Sequence, residues 1–186
     1  MTVELTFTAD RRLEWAVGKV RPEKMEWMYQ DYFGAVGPVM ADHGMQNLVG
    51  FEVRDASGAG VKPTAGALTT WPSAEARIKL HADTRFTPWL PERDDAFEVF
   101  EDGYFIESLE EVLTLNTDQD YAVVIAAKQP MAAAIFDQPV TADSPNQSRT
   151  GKSLALYPWT DAADALLAAP GAGVEVFRIR FNPKVR

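Results

Sequence analysis

Three short patterns occur twice in this chain, in the same order. Trp15-Ala16-Val17 followed by Pro22 is matched by Tyr121-Ala122-Val123 followed by Pro130, each reading as a strand that leads into a Met-containing helical segment. Trp71-Pro72-Ser73-Ala74-Glu75-Ala76 is matched by Tyr157-Pro158 and then Thr160-Asp161-Ala162-Ala163, an aromatic-proline strand end before a hydroxyl residue placed to cap a helix. Glu98-Val99-Phe100 returns as Glu175-Val176-Phe177. A repeated strand, cap and strand constrains the fold more than any single motif, because each copy must be one supersecondary unit.

The first copy is the fuller one. Residues 13–21 predict a strand, and Pro22 suits the first turn of the helix that follows. Within that helix Met28, Tyr29, Tyr32, Phe33 and Val36 fall at three- and four-residue spacing, which predicts a buried face holding Met28, Tyr32, Phe33 and Val36. Gly37-Pro38 predicts a kink or restart, and His43-Gly44 the end. Strands are expected over 46–53 and 65–71 around a turn at Asp55–Gly60, then a helix from the Ser73 cap to about Ala82, a loop at Thr87–Pro91 and a strand over 97–106. In the second copy strands are expected over 121–127, 153–157 and 174–181, and the polar stretch Gln138 to Gly151 reads as a mobile loop where a helix-strand portion has been lost. The class is α+β, with two tandem β-α-β-β-α-β units, residues 1–118 and a shortened 119–186.

Charge and cysteine content narrow the chemistry. With no cysteine among 186 residues, disulfides, thiolate nucleophiles and cysteine-ligated metals are excluded. The formal net charge of -9 argues against nucleic acid as a partner, since duplex binding depends on Lys and Arg at phosphates. Residues 1–118 carry 11 basic against 21 acidic side chains, and residues 119–186 carry 7 against 6, so the two parts can attract each other. The Met1-Thr2-Val3-Glu4-Leu5 start lacks a basic region with an apolar core, and no apolar run reaches spanning length; a soluble, cytoplasmic protein is expected, without a membrane partner.

The first copy, with Tyr29-Gln30-Asp31-Tyr32, Gly37-Pro38-Val39-Met40, His43-Gly44 and Trp71-Pro72-Ser73-Ala74-Glu75-Ala76, resembles the dimeric α+β barrel superfamily of ferredoxin-like units. That group includes small uncharacterised bacterial proteins, EthD-like proteins, antibiotic-biosynthesis monooxygenases, haem-degrading enzymes and chlorite dismutase. The resemblance spans about residues 13–106 and, more loosely, 119–182. Together with the repeat it implies an intrachain α+β barrel, so that the chain is a monomer with an internal pseudo-dimer or a homodimer, and it implies a site between helices and sheet.

Candidate residues follow from that placement. His43, at a helix C-terminus beside Asp42, reads either as a cap or as a general base held in one tautomer. His81, in line with Ile78 and Ala74, is expected to point into the barrel as a core histidine or a base. Tyr32 and Tyr29 are expected on the buried face with hydroxyls reaching a pocket, and Trp71 and Trp89 with Arg85 between them as a pocket wall or an apolar corner. The acidic run from Glu92 to Glu111 lacks calcium-loop spacing and reads as a solvated face; no metal and no cofactor is expected, with haem on a histidine axial ligand as the last-ranked alternative for want of an attachment motif. The functional expectation is a small-molecule-binding barrel, either an enzyme acting without cofactor on a small aromatic or carbonyl compound, with His81, His43 and Tyr32 catalytic, or a non-catalytic binding or interaction module.

Overall fold

The computed structural model describes residues 1–58, 60–108 and 110–182, with every side chain among them but that of Asp102. Ala59 of the expected turn and the last four residues of the expected second unit lie outside the described residues. The chain is α+β. Its strands are β1 (Thr2–Phe7), β2 (Arg12–Val20), β3 (Gln46–Ala56), β4 (Ala65–Trp71), β5 (Phe97–Ile106), β6 (Glu111–Asn116), β7 (Tyr121–Ala126), β8 (Phe136–Pro139), β9 (Ser153–Pro158) and β10 (Glu175–Asn182). Its helices are α1 (Met25–Trp27), α2 (Phe33–Asp42), α3 (Ala74–Ala82), α4 (Leu90–Ala96) and α5 (Asp161–Ala168), with a π-helical turn at Met28–Tyr32 joining α1 to α2.

Eight strands form one antiparallel sheet in the order β5-β2-β4-β3-β10-β7-β9-β8, and β1 pairs with β6 separately. Counted within their own segments, β2, β3, β4, β5 and β7, β8, β9, β10 both lie in the order fourth, first, third, second. The two segments join through β3 and β10, in register from Phe177 opposite Ala56 to Asn182 opposite Gly50, with a bulge at Arg178/Ile179.

The expected closed barrel is not formed. The edge strands meet at one end only, through a single bridge between Ile106 and Val140 flanked by Glu107 N to Pro139 O (3.0 Å) and Thr141 N to Phe105 O (2.8 Å). No ladder runs along the rest of that seam. The sheet therefore curls until its edges touch. Its inner face is packed with side chains from all eight strands, and β1 and β6 add Leu5, Phe7, Leu113 and Leu115 to the same cluster. Trp15 stacks on Phe51 at 4.6 Å and 16°, and the ring of Phe51 lies where a Cβ on Gly66 would stand, 2.3 Å away. Glycine is what lets the two rings lie flat there.

The outer face carries the helices. Over the first segment Met28, Tyr32, Val36 and Val39 pack with Trp71, Leu80, Phe86, Ala96 and Phe105; over the second, Ala163 of α5 packs on Ala122, Val124, Ala155, Tyr157 and Val176. The Ser73 and Thr160 caps form as expected, each hydroxyl accepting from the amide three residues on, Ala76 and Ala163. The helix before Gly44 ends as expected too. Gly44 sits at φ +81, its amide reaches Ala41 O at 2.8 Å, and the Met45 amide reaches Met40 O at 3.0 Å.

Several expectations fail for identifiable reasons. Phe33 is 44% exposed and Tyr29 54%. The Phe33 amide bonds five residues back to Met28 O. That wider turn rotates later residues relative to an α-helix, so the buried stripe continues through Tyr32 and Val36 and leaves Phe33 outside. The segment after Pro130 is bend and irregular backbone rather than helix. The expected loop at Thr87–Pro91 is a 3-10 turn, Thr87–Trp89, that runs directly into α4, with Pro91 in its first turn, where proline costs nothing. The stretch 138–151 is pinned rather than loose: Ser144 is 2% and Arg149 4% exposed.

Candidate functional site

His43 and Asp83 form the closest approach to a base with an orienting partner. The Nε2 of His43 lies 2.9 Å from Asp83 Oδ2, and Asp83 is also gripped by Arg85, whose Nη2 and Nε donate to Oδ2 at 2.8 Å and Oδ1 at 3.1 Å. Arg85 and then His43 hold the Asp83 carboxyl well below the usual aspartate range. Arg85 also donates to Asp42 at 2.8 Å, which ties the end of α2 to the turn after α3. The carboxylate that serves His43 is thus Asp83, not the adjacent Asp42, because neighbouring side chains at a helix end diverge. Arg85, expected with Trp71 and Trp89 in a pocket wall or apolar corner, gives its donors to the two aspartates.

The other candidates belong to the helix layer over the first segment. Tyr32 is 2% exposed and Trp89 half-buried; their ring centroids lie 6.5 Å apart, and both meet Trp27, at 5.6 and 6.3 Å. Tyr29 is linked to the group through Phe33. His81 is half-buried with its ring edge against Phe86 at 5.3 Å. It belongs to the helix layer on the outer face, not to the inside of the curled sheet, because α3 turns Ala74, Arg77 and Leu80 to the sheet. Trp71 is buried and donates its Nε1 to Glu14 at 2.5 Å.

Two buried ionic groups carry no signature in the sequence. Glu14, 6% exposed, accepts from Trp71, from Arg77 Nε at 2.8 Å, from Gly103 N at 3.1 Å and from Thr69 Oγ1 at 3.0 Å. In LEWAV it passes for the polar half of an alternating strand; the clue is that helices cover that face as well. Arg149 donates through Nε to both Glu175 oxygens at 3.1 Å, pairs through Nη2 with Glu101 and Glu175, and lies 4.0 Å above the Tyr104 ring. Its Nη1 and the Nε1 of Trp15 are buried without a hydrogen-bond partner among the described residues. Glu101 leaves the expected solvated acidic face for this pairing. The Asp102 side chain of the same run lies outside the described residues.

An open cleft of about 570 Å³ runs between β1 and the starts of β3 and the end of β4. Glu4, Thr6, Thr8, Asp10, Gln46, Asn47 and Thr70 supply its polar wall. Arg11 closes one end, with Nε on Thr70 Oγ1 at 2.9 Å and Nη2 on Gly44 O at 2.5 Å and Thr70 O at 3.2 Å. The cleft therefore adjoins the α2 terminus that carries His43. No group of three or more candidate metal ligands occurs among the described residues, and no helix among them is long and apolar enough to cross a membrane.

No family model matches the chain, and no curated protein matches it in sequence. Among solved structures, one provisionally named a monooxygenase, from Fusobacterium nucleatum subsp. nucleatum, aligns over 93% of each chain at 12% identity and a TM-score of 0.42. An anthrone oxidase-like protein aligns over 98% of this chain and 97% of its own, at 12% identity and 0.46. At those values neither protein transfers an activity to this chain.

Proposed function

We propose that the chain is a tandem pair of ferredoxin-like units, residues 1–118 and 119–186, that binds a small polar, carbonyl-bearing molecule in the cleft beside β1. The shared strand order of the two segments supports the tandem reading. The observation that carries the binding reading is the contrast between the two concave places. The inside of the sheet is filled by side chains, whereas the cleft has the volume of an ordinary ligand site and a wall of amides, hydroxyls, the carboxylates of Glu4 and Asp10 and one guanidinium. Such a wall selects hydrogen-bonding groups over a bare aromatic ring.

The test is amide NMR of the purified chain titrated with a panel of small hydroxy and keto acids. Shifts confined to Thr6, Arg11, Asn47 and Thr70, abolished by Asn47→Trp, are the expected result; shifts elsewhere, or none across the panel, would overturn it. A catalytic reading is favoured by one observation, the 2.9 Å contact that fixes His43 with Asp83. On that reading a bound keto acid exchanges its α-protons faster with the protein than without it, and His43→Asn removes the acceleration while leaving the binding shifts.

A further inference from the structure

Arg11 is a guanidinium held in place without a counter-charge. It stands in the turn after β1, its amide on Thr8 O at 3.1 Å, and half-buried at one end of the cleft. Its Nε and Nη2 donate to one hydroxyl and two carbonyls, Thr70 Oγ1, Gly44 O and Thr70 O, all of them neutral. Its Nη1 has no partner among the described residues. Other arginines of this acidic chain are neutralised: among those described, only Arg11 and Arg21 lack a carboxylate partner, and Arg21 is exposed. A fork already fixed by three bonds loses little freedom when a carboxylate arrives at its remaining nitrogen.

The same cleft holds the opposite charge. Glu4 and Asp10 line it, are exposed, and form no ion pair or hydrogen bond through their side chains among the described residues. A bare anion is attracted by Arg11 and repelled by two carboxylates, and a bare cation meets the reverse; a molecule that carries both charges is attracted throughout. We propose that the ligand of the cleft is a small zwitterion of the amino-acid class, with its carboxylate on Arg11 Nη1 and its ammonium against Glu4 or Asp10. Gln46 and Asn47, whose side-chain amides have no partner among the described residues, are free to bond the polar groups between. The proposal rests on the cleft being a binding site and narrows its ligand from carbonyl-bearing molecules at large.

The test is amide NMR at low ionic strength with two zwitterions, alanine and 6-aminohexanoate, each beside its amine-free partner of equal length, propionate and hexanoate. The short one suits Asp10, next to Arg11 in the turn, and the long one suits Glu4, further back on β1. At least one zwitterion is expected to shift Thr6, Asn47 and Thr70 and to bind at least about fivefold more tightly than its partner. Joint Glu4→Gln and Asp10→Asn substitution should reverse that order, weakening the zwitterion and tightening the bare acid, which a merely structural role for the two carboxylates does not produce. Both side chains are exposed, so circular dichroism should be unchanged. Arg11→Gln should weaken zwitterion and bare acid alike, by about tenfold; it also removes the bonds to Thr70 and Gly44, so the carboxylate variant decides the matter if this one melts. A bare acid that binds as tightly as its zwitterion, or an order that the Glu4 and Asp10 substitutions leave unchanged, would overturn the proposal and leave the cleft a site. Shifts outside the cleft, or none from any of the four probes, would overturn the binding reading along with it.

Discussion

The two segments of the sheet follow the same strand order and keep themselves together by opposite means. Segment 12–106 is covered on its outer face by the α1–α2 stretch, α3 and α4, and its buried charges, Glu14 and Arg77, sit under that cover with four donors on the carboxylate. Segment 121–182 has only α5, and its principal buried charge, Arg149, sits at the seam instead. There the pinned stretch replaces a missing ladder by side-chain bonds to β5: Ser144 Oγ to Gly103 O at 2.5 Å, Phe105 N to Ser144 Oγ at 3.2 Å, and Tyr104 OH with Ser148 Oγ at 2.6 Å. A segment that loses a helix can thus keep its sheet, provided its polar loop finds the exposed strand edge. The charges then differ in kind: one carboxylate is fully enclosed by the fold, whereas the guanidinium has partners that water still reaches, Glu101 and Glu175 having side chains 36% and 32% exposed.

The largest effect should follow from breaking the enclosed pair. Glu14→Ala takes a buried carboxylate from Arg77 and leaves the Trp71 N–H and the Gly103 amide without this acceptor under the helices, and is expected to cost about 3–5 kcal/mol in urea unfolding. At the seam, Arg149→Met should cost less, about 1–3 kcal/mol, since the two carboxylates can rehydrate and one unpaired N–H is removed with the charge. If the second substitution costs more than the first, the seam and not the helix layer is the better-enclosed site.

Acid should sharpen the same contrast. Burial pushes the Glu175 carboxyl up, but Arg149 and Lys152 outweigh it and hold the group below its ordinary value. A depressed carboxyl stabilises the fold fully above its unfolded value and loses that contribution as pH falls through the lowered one. Wild type should therefore lose more stability than Arg149→Met between about pH 6 and about pH 3.5, measured as the difference in urea midpoints. Equal losses would mean that Arg149 does not hold Glu175. The smallest effect concerns the stripe next to the π-helical turn. Phe33→Ala should change stability by less than about 0.5 kcal/mol, whereas Met28→Ala, fully buried, should cost about 2–5 kcal/mol.

Much of the sheet was legible because strands such as Tyr121–Ala126 are nearly unbroken β-branched and apolar runs between turn formers. Strand β1 alternates Val3, Leu5 and Phe7 just as plainly, yet it precedes the first copy and so falls outside the repeat. Strand β6 is masked by the acidic run, and β8 ends in Pro139, which an edge strand tolerates because its outward amides need no partner. The site was much less legible. Tyr32 and Trp89 share a cluster and His43 acquires a carboxylate, but that carboxylate lies 40 residues away. Glu14 and Arg149 owe their burial to helices and a loop far along the chain, which no local pattern records.

The place of β10 in the sheet also bears on how the protein is made. This strand is tenth in the chain, yet it lies between β3 and β7 and supplies the ladder that joins the segments. During synthesis one edge of β3 and one of β7 must wait, unpaired, until residues 175–182 have left the ribosome. Nascent chains stopped short of that point carry two open, apolar strand edges and are the species most exposed to mispairing and most in need of a chaperone.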